Sequence, residues 1–484
     1  MHDALRNLRS NSHAVWRIFA LLLVLRPVAA CAQEGLPAPQ TEAMIVPLPA
    51  AEMPTVAPSL GLVDLEALAL RYNPTLAQAA AAIEQERGVW RQAGLYPNPQ
   101  AGYLRSDPSG TGGTRSEGVF LSQEIVTAGK LRLGQAVEAQ EIRRLQTEWE
   151  AQRRRITNDL RVRYYEVLGA QHATAFAEEL CKLAGDGLRL TEQLHQAQGA
   201  SRADVLQARI QEQGAHVALE EAQVRYAAAW RQLTAMIGLP YMEPTHLEGR
   251  LDENVVQLDF DACYAGLSAA SPQLQAALIR IQHARQEVLR EKAGAIPNVT
   301  VQTVTEFDHT TGATTVSTLL AAPMPVFNRN QGNIYHAYAD IREAQAEVER
   351  VRLVLHDQLA DAFRRYESSR VRAQRLRETI LADADENLRL VSAGQREGEF
   401  SLFQVITARQ LYAQSHSAYS ESLVELHKVA TEIDGLLLTG GLNPASLGAA
   451  IQTQGGMRQP GLLNQLQENS SKQLLPATIQ AIGQ

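Results

Sequence analysis

The sequence contains few cysteines, few aromatic residues and no excess of positive charge, and each shortage excludes a class of protein. Its 484 residues include three cysteines, Cys31, Cys181 and Cys263, without CxxC or other paired spacing. Neither a zinc ribbon nor a disulfide framework is therefore indicated, and we expect Cys181 and Cys263 to be small buried residues. Aromatic residues make up 5% of the chain and the net charge is −8. These values argue against a compact aromatic core and against a nucleic-acid-binding protein.

Motifs for catalysis and metal binding are also missing. The chain has no GxSxG, HExxH, P-loop or Rossmann fingerprint, so an enzyme is not expected. The twelve histidines are scattered without HxH or HxxxH spacing, and we predict no metal site and no cofactor. The longest apolar stretch of the mature chain, Leu319 to Phe327, contains Pro323 and Pro325 and is far shorter than the roughly 20 residues of a transmembrane helix.

The N-terminus has the pattern of an export signal, which we place at residues 1–31. Arg6, Arg9 and Arg17 precede a short apolar core, a combination typical of bacterial signal peptides. The following Val28-Ala29-Ala30-Cys31 has the form of a lipobox, which predicts acylation of Cys31. Ordinary cleavage after Ala32 is the alternative. One lipid chain would be only an auxiliary anchor.

The chain repeats itself with a period near 200 residues. Such self-similarity indicates a duplicated structural unit, with predicted limits of 61–240 and 241–440. Residues 32–60 and 441–484 flank these units and are rich in Pro, or in Gln and Gly, as in extended segments. The matching pairs are Asn73-Pro74-Thr75-Leu76 with Ser271-Pro272-Gln273-Leu274, Gln92-Ala93-Gly94 with Lys292-Ala293-Gly294, and Ser201 to Arg209 with Ser401 to Arg409.

Each unit is predicted to open with a helix and to continue with two strands. The helices are expected at Val63–Ala93 and Phe260–Ala293, with Asp64 and Asp259 as N-caps and Gly94 and Gly294 as stops. In Val299 to Asp308 apolar and polar residues alternate, which is the pattern of a half-buried strand. Val119, Leu121 and Ile125 show the same alternation in the first unit.

Two very long helices without proline follow the strands, at about 130–197 and 332–392. Their apolar residues recur at three-to-four spacing, and each helix would reach roughly 90–100 Å. A glycine-bearing turn then reverses the chain into return helices at Ser201–Ile237 and Ser401–Leu438. The sequence therefore predicts a mostly α-helical protein with a smaller β part.

Four strands per chain cannot close into a barrel, because lipid would meet unpaired backbone groups at the sheet edges. Three copies would supply twelve strands, an even number within the range of bacterial outer-membrane barrels. The same assembly would gather the helical hairpins into a second, helical tube. The aromatic residues expected at the membrane interfaces are Tyr96, Tyr103, Phe120, Phe307 and Phe327.

Four groups of motifs stand in a fixed order between residues 60 and 440. They are Leu65-Glu66-Ala67-Leu68 before Asn73-Pro74-Thr75-Leu76, Gly94-Leu95-Tyr96-Pro97-Asn98-Pro99, Ser122-Gln123-Glu124-Ile125 with Gly129-Lys130, and Pro325-Val326-Phe327-Asn328-Arg329-Asn330-Gln331-Gly332. In these motifs the sequence resembles the TolC family of outer-membrane efflux proteins. The resemblance implies a homotrimeric channel whose barrel contacts outer-membrane lipid and whose helical tube crosses the periplasm. It also implies two partners, a periplasmic adaptor and an inner-membrane pump, with metal cations or small toxic compounds as the cargo, and favours the branch that serves heavy-metal pumps of the RND type.

The resemblance places a gate at the hairpin turns, where carboxylates of the return helices ring the closed aperture. Asp204 matches such a position in the first unit, whereas Gln404 and Thr407 stand at the acidic positions of the second, and Phe400 stands at the arginine position of the tip. Three copies of Asp204 would still form a ring. The alternative is that Asp204 only stabilises the start of its helix.

Charged residues near the two turns are candidates for docking the adaptor, and a purely solvated turn is the alternative. They are Arg202, Arg396, Glu397 and Glu399.

Two other functions fit parts of the pattern. A type I secretion duct, which exports polypeptide, differs in its partner pump rather than in its own sequence. A periplasmic coiled-coil scaffold would have no strands and would be detergent-independent.

Overall fold

In the part of the chain that the structure describes, the same series of helices and strands occurs twice. The computed structural model describes residues 59–106, 115–252, 257–397 and 399–443. The first copy consists of β1 Ser59–Leu60, α1 Leu62–Tyr72, α2 Pro74–Ala93, β2 Gln100–Ser106, β3 Ser116–Ile125, α3 Lys130–Gln196 and α4 Arg202–Ile237. The second consists of β4 His246–Leu247, α5 Phe260–Ala270, α6 Pro272–Gly294, β5 Val299–Asp308, β6 Thr314–Ala321, α7 Gln331–Arg375, a π-helical turn Leu376–Ile380, α8 Leu381–Glu397 and α9 Leu402–Asp434. The mostly helical, duplicated architecture is confirmed.

The single opening helices predicted at Val63–Ala93 and Phe260–Ala293 are wrong. Each is two helices, separated by Asn73 or by Ser271 in an extended conformation, with ψ of 119° and 120°. Both residues precede a proline, which disfavours the helical conformation of the residue before it and has no N–H to donate. The Asn73 carboxamide then caps the next helix by accepting a hydrogen bond from the Thr75 N–H at 3.0 Å.

The predicted helix ends are partly right. Asp259 is an N-cap and Gly94 follows α2, as expected. Asp64 is not an N-cap: that residue is Gly61, whose N–H donates to the Asp64 carboxylate at 3.2 Å. Gly294 is the last residue of α6 rather than the stop after it.

The first long helix, α3, runs for 67 residues without interruption, a length of roughly 100 Å. The second is interrupted by the π-helical turn and continues to Glu397, beyond the predicted end at residue 392. A π turn inserts one residue into the helical register, and the apolar spacing alone does not reveal such an insertion.

The return helix of the second copy was predicted to reach Leu438 but ends at Asp434. Leu436 and Leu437 adopt left-handed conformations, with φ of 58° and 57°. The Leu437 N–H donates to the carbonyl oxygen of Glu432 at 2.7 Å, a hydrogen bond of the Schellman type that ends many helices.

The four longer strands form one antiparallel sheet in the order β2-β3-β5-β6. Its register pairs Leu121 with Thr303 and Ser122 with Gln302. Because residues paired across strands share a face, Leu121 lies on the same face as Val119, Val301 and the β6 residues Val316 and Leu320. The predicted alternation of an apolar and a more polar face is confirmed. β2 and β6 are the edges of the sheet.

The helices lie side by side, and α3 is shared between the two copies. It packs against α2 and α4 of its own copy and against α6 and α9 of the second copy. α2 and α4 lie end to end along α3, and the Asn73 carboxamide joins their ends by donating to the carbonyl oxygen of Met236 at 2.8 Å. A second copy of this contact pattern joins α7 to α6 and α9.

Where α2 and α4 meet, a hydrophobic core forms that we call the central junction. Trp230 is at its centre, is 2% exposed, and donates its indole N–H to the carbonyl oxygen of Met242 at 2.9 Å. The short parallel pair β1–β4 covers this core with Leu60 and Leu247. Further buried members are Leu65, Ala69, Ile156, Leu160, Tyr164, Leu168, Leu233 and Ile237.

The segment after α9 is fixed to the middle of α3. The Asp159 carboxylate accepts hydrogen bonds from the N–H groups of Gly440 and Gly441, at 2.9 and 2.6 Å. The Asn158 amide donates to the carbonyl oxygen of Leu438 at 2.9 Å. Gly440 and Gly441 therefore return the chain to α3.

Three expectations concern smaller features. No helix among the described residues combines the length and the apolar character needed to cross a membrane. Cys181 and Cys263 are free and half-buried rather than buried, because both lie at helix positions that neighbouring helices cover only partly. The signal sequence with Cys31, and residues 444–484, lie outside the described residues.

Candidate functional site at the hairpin ends

The first hairpin turns between α3 and α4 through a compact loop. Gln198 has a φ of 64°, and the Gly199 N–H donates to the carbonyl oxygen of Leu194 at 2.7 Å. His195 adds a contact of 2.8 Å between its Nδ1 and the carbonyl oxygen of Ala200. The turn is thus closed by its own backbone and holds the start of α4 in a defined position.

Asp204, the candidate gate residue, forms a capping box with Ser201 at the start of α4. Its carboxylate accepts hydrogen bonds from the N–H and the hydroxyl group of Ser201, both at 2.8 Å, and its own N–H donates to the Ser201 hydroxyl at 3.2 Å. The backbone hydrogen bond from Ser201, followed by that from its hydroxyl group, lowers the pKa of Asp204. The carboxylate therefore stabilises the helix start and remains charged at neutral pH.

Gln404 occupies the same position at the start of α9. Its side-chain oxygen accepts from the Ser401 N–H at 2.8 Å, and its own N–H donates to the Ser401 hydroxyl at 3.4 Å. Both return helices thus have the same cap, one with a charge and one without. Thr407, the other candidate of this unit, donates its hydroxyl group to the carbonyl oxygen of Phe403 within α9 at 2.9 Å.

Phe400 packs against the end of the second long helix. A Cβ atom added to Gly394 would lie 2.4 Å from the Phe400 ring, so this contact requires a glycine. The Glu399 N–H donates to the carbonyl oxygen of Gly394 at 2.9 Å. Phe403, which is 75% exposed, is the more prominent aromatic side chain of this turn and was not singled out by the sequence.

Of the candidate docking residues, Arg202 and Glu399 are exposed at the two turns. Arg396 and Glu397 are the last two residues of α8, and their side chains lie outside the described part of the structure. The docking assignment stays a prediction.

The structure also groups acidic residues that sequence reasoning missed, on α2, α3 and α6 near the sheet. Burial, together with a hydrogen bond to the Glu138 carboxyl, raises the pKa of Glu86 to about 7. Burial raises the pKa of Glu287 on α6 as well, and Glu138 contributes to that shift. Glu141 and Arg144 are the other charged groups that face Glu86 from α3. The register between three helices brings these groups together, and a single sequence does not show it.

Glu86→Gln is expected to remove a pH-dependent loss of stability. Because the pKa of Glu86 is raised from 4.5 to about 7 in the folded protein, its stabilising contribution is complete below the ordinary value and is lost as the pH rises through about 7. The thermal midpoint of the variant, relative to that of the wild type, should therefore increase as the pH rises from about 5 to about 8. Glu84→Gln, on the exposed side of the same helix, is the control and should show no such gain.

The residues described here contain no group of three or more His, Cys, Asp or Glu side chains arranged to hold a metal ion.

Comparison with known proteins decides the family. The model of the outer membrane efflux protein family matches residues 65–239 and, again, residues 265–432. The chain belongs to this family. The cobalt-zinc-cadmium resistance protein CzcC of Cupriavidus metallidurans is 26% identical over 392 residues, which cover 78% of this chain and 90% of that protein.

Solved structures of outer-membrane channels share the fold. CusC superposes with a TM-score of 0.67 at 16% identity, covering 78% of this chain and 92% of CusC. VceC of Vibrio cholerae superposes with a TM-score of 0.63 at 17% identity, covering 78% of this chain and 96% of VceC. This outer membrane efflux protein is an exit channel with a large periplasmic part. Its family consists of transport channels rather than enzymes.

Proposed function

We propose that three copies of this channel assemble into one conduit. In each copy the sheet is open at β2 and at β6, and an unpaired backbone group costs several kcal/mol in hydrocarbon. Joining β6 of one copy to β2 of the next pairs both edges, and three copies close a barrel of twelve strands. The open sheet is the observation that supports threefold closure.

The helices support the same assembly. α4 lies at one edge of the helical layer and exposes the apolar side chains of Leu206, Ile210, Val217 and Val224. The last three recur every seven residues, the spacing of a stripe that packs against another helix. At the opposite edge the second long helix exposes apolar side chains that include Leu390. Contact between these edges in neighbouring copies would complete a helical tube.

We infer that the conduit conducts passively and receives its cargo from an inner-membrane pump of the RND type through a periplasmic adaptor. In this assembly the adaptor docks at the hairpin turns, where Arg202 and Glu399 are exposed and where α8 ends with Arg396 and Glu397. Asp204 lies in the adjoining first turn of α4, and in the proposed assembly its charge belongs to the periplasmic aperture. Divalent metal cations such as cobalt, zinc and cadmium are the cargo, and the similarity to nearly the whole length of CzcC is the observation that supports this assignment.

The cargo is tested in a strain that carries a metal-exporting RND pump and adaptor but lacks their outer-membrane channel. Expression of this protein should restore growth in zinc, cobalt or cadmium by several-fold in tolerated concentration. Unchanged metal tolerance, with the protein present in the outer membrane, would rule the metal cargo out. Appearance of a co-expressed type I polypeptide substrate in the medium would instead support a secretion duct.

The assembly has a separate test. Electron microscopy of detergent-purified protein should show a tapered threefold particle that is well over ~100 Å long, given the length of α3. A compact monomer would contradict the trimer whatever the cargo.

Asp204→Gln is expected to lower the cation preference of the channel in planar bilayers while leaving its stability unchanged. Glutamine maintains the capping box, as Gln404 does in the second copy, so the variant removes only the charge from the ring. Asp204→Ala also removes the carboxylate that accepts the two hydrogen bonds from Ser201, while the Ser201 cap on the residue-204 N–H remains. If Asp204→Gln conducts cations with wild-type preference, Asp204 is a capping residue and not part of the gate.

A further inference from the structure

Two arginines related by the repeat have different surroundings. Arg209 on α4 pairs with Glu192 on α3, within the first hairpin, at 3.5 Å between Nη2 and Oε1. Arg409 is the corresponding residue of α9. Counted back from the two helix ends, Ala393 stands in the second hairpin where Glu192 stands in the first. The second hairpin therefore offers Arg409 no equivalent carboxylate.

Arg409 instead reaches out of its own hairpin to α3. A Cβ atom added to Gly187 of α3 would lie 2.3 Å from the Arg409 Nη1 and 3.1 Å from its Cζ. The guanidinium group thus fills a notch that exists only because residue 187 has no side chain. The neighbouring acid, Asp186, is itself paired with Arg189.

In the described part of the chain, no hydrogen bond compensates for the burial of this guanidinium group at its Nε. Its Nε is buried and has no hydrogen-bond partner among the described residues. Burial lowers the pKa of Arg409, and the charge of Asp186 opposes that effect only in part. Burying a charged donor without a partner is unfavourable, and this cost disappears when water reaches the group.

The second hairpin has its own packing at this level. Val391 of α8 and Val405 and Ala408 of α9 form a small buried core. Farther from the turn, Tyr412 and His416 of α9 contact Phe176 of α3, and His416 also pairs with Asp385 of α8 at 2.9 Å. At the level of Arg409, α9 therefore shares an apolar core with α8, whereas the guanidinium group itself lies against α3 without a hydrogen bond at its Nε within the described structure.

We propose that Arg409 lowers the free energy needed to separate the second hairpin, α8 and α9, from α3 near the periplasmic end. Separation hydrates the guanidinium group and leaves the α8–α9 core intact, so the hairpin moves as a unit. The effect of Arg409 on hairpin separation does not depend on the proposed function. Only its consequence, that separation widens the aperture, rests on the proposed aperture at the hairpin ends. Arg409 acts as a positioning residue, not as a ligand of the cargo.

Two substitutions with opposite expected effects test the proposal. Arg409→Met keeps the length of the side chain but removes the charge, and should reduce the separated fraction roughly tenfold. Gly187→Ala introduces a Cβ into the space of the guanidinium group and should increase that fraction. Arg209→Met and Gly185→Ala are the matched controls, because Arg209 is exposed and a Cβ on Gly185 meets its nearest atom at 4.0 Å.

Hairpin separation is measured directly in the full-length assembled protein. Spin labels at the exposed positions Lys182 of α3 and Gln410 of α9, with Cys181 and Cys263 replaced by serine, give the distance distribution in trimers diluted with unlabelled copies. Distances should shorten in Arg409→Met and lengthen in Gly187→Ala, with both controls at the wild-type distribution. Unchanged distances in both test variants would overturn the proposal.

Planar-bilayer currents of the same variants separate this inference from the proposed function. Fewer openings in Arg409→Met and more in Gly187→Ala are expected. Distances that shift as expected while the currents stay at the wild-type level would support the role of Arg409 and contradict the gate at the hairpin ends.

Discussion

Leu121→Arg is expected to prevent the protein from accumulating in the outer membrane. Leu121 lies in the middle of β3, is 49% exposed, and belongs to the apolar face of the sheet. An arginine on the lipid-facing side of a barrel costs about 2–4 kcal/mol near the bilayer midplane, and threefold assembly repeats this cost in every copy. The measurement is the amount of trimer in purified outer membranes by semi-native gel electrophoresis.

Ser122→Arg is the control for this substitution. Ser122 is the next residue of the same strand and is paired with Gln302 on the more polar face. An arginine there would face the aqueous interior of the proposed barrel and should be tolerated, with trimer close to the wild-type amount. Equal amounts of trimer for both variants would show that neither face contacts lipid.

Trp230→Ala is expected to reduce the free energy of unfolding by about 3–5 kcal/mol. The indole fills the centre of the central junction at 2% exposure and donates to the carbonyl oxygen of Met242. Removing it leaves a cavity and an unsatisfied carbonyl group at the point where α2 and α4 meet along α3. Thermal loss of the helical circular dichroism signal in detergent measures the effect.

Tyr241→Ala is the matched aromatic truncation. Tyr241 lies in the loop after α4, next to Met242, and is 87% exposed. Its removal should change the thermal midpoint little, since a surface residue away from special contacts contributes within about 0.5 kcal/mol. If Trp230→Ala and Tyr241→Ala have the same thermal midpoint, the central junction does not limit the stability of the helical part.

The elements that could be predicted from the sequence were those whose signals are local. Proline-free apolar spacing gave the long helices, alternation gave β3 and β5, and the repeat gave the second copy of each. The predicted helix limits are wrong where a proline overrides the apolar spacing or where no local signal exists. Pro74 separates α1 from α2 although the apolar spacing continues across it, whereas nothing in the residues near Leu376 indicates a π turn.

The candidate site was predicted less completely than the fold. Asp204 and Gln404 were found through the resemblance, but their hydrogen bonds with Ser201 and Ser401 gave them a structural role that stands beside the proposed one. Arg409 and Glu86 were not singled out, because their chemistry depends on helices that are far away in the chain. That Gly187 makes room for the guanidinium group of Arg409 is visible only when α3 and α9 are placed side by side.

By itself the sequence determined the helices, the strands, their duplication and the family, because periodicity, turn residues and repeated motifs act over a few neighbouring residues. The tertiary structure alone decided which helices share α3, which face of the sheet is apolar across all four strands, and which charges are buried. Those properties depend on the register between elements distant in sequence, and many registers are compatible with the same local pattern.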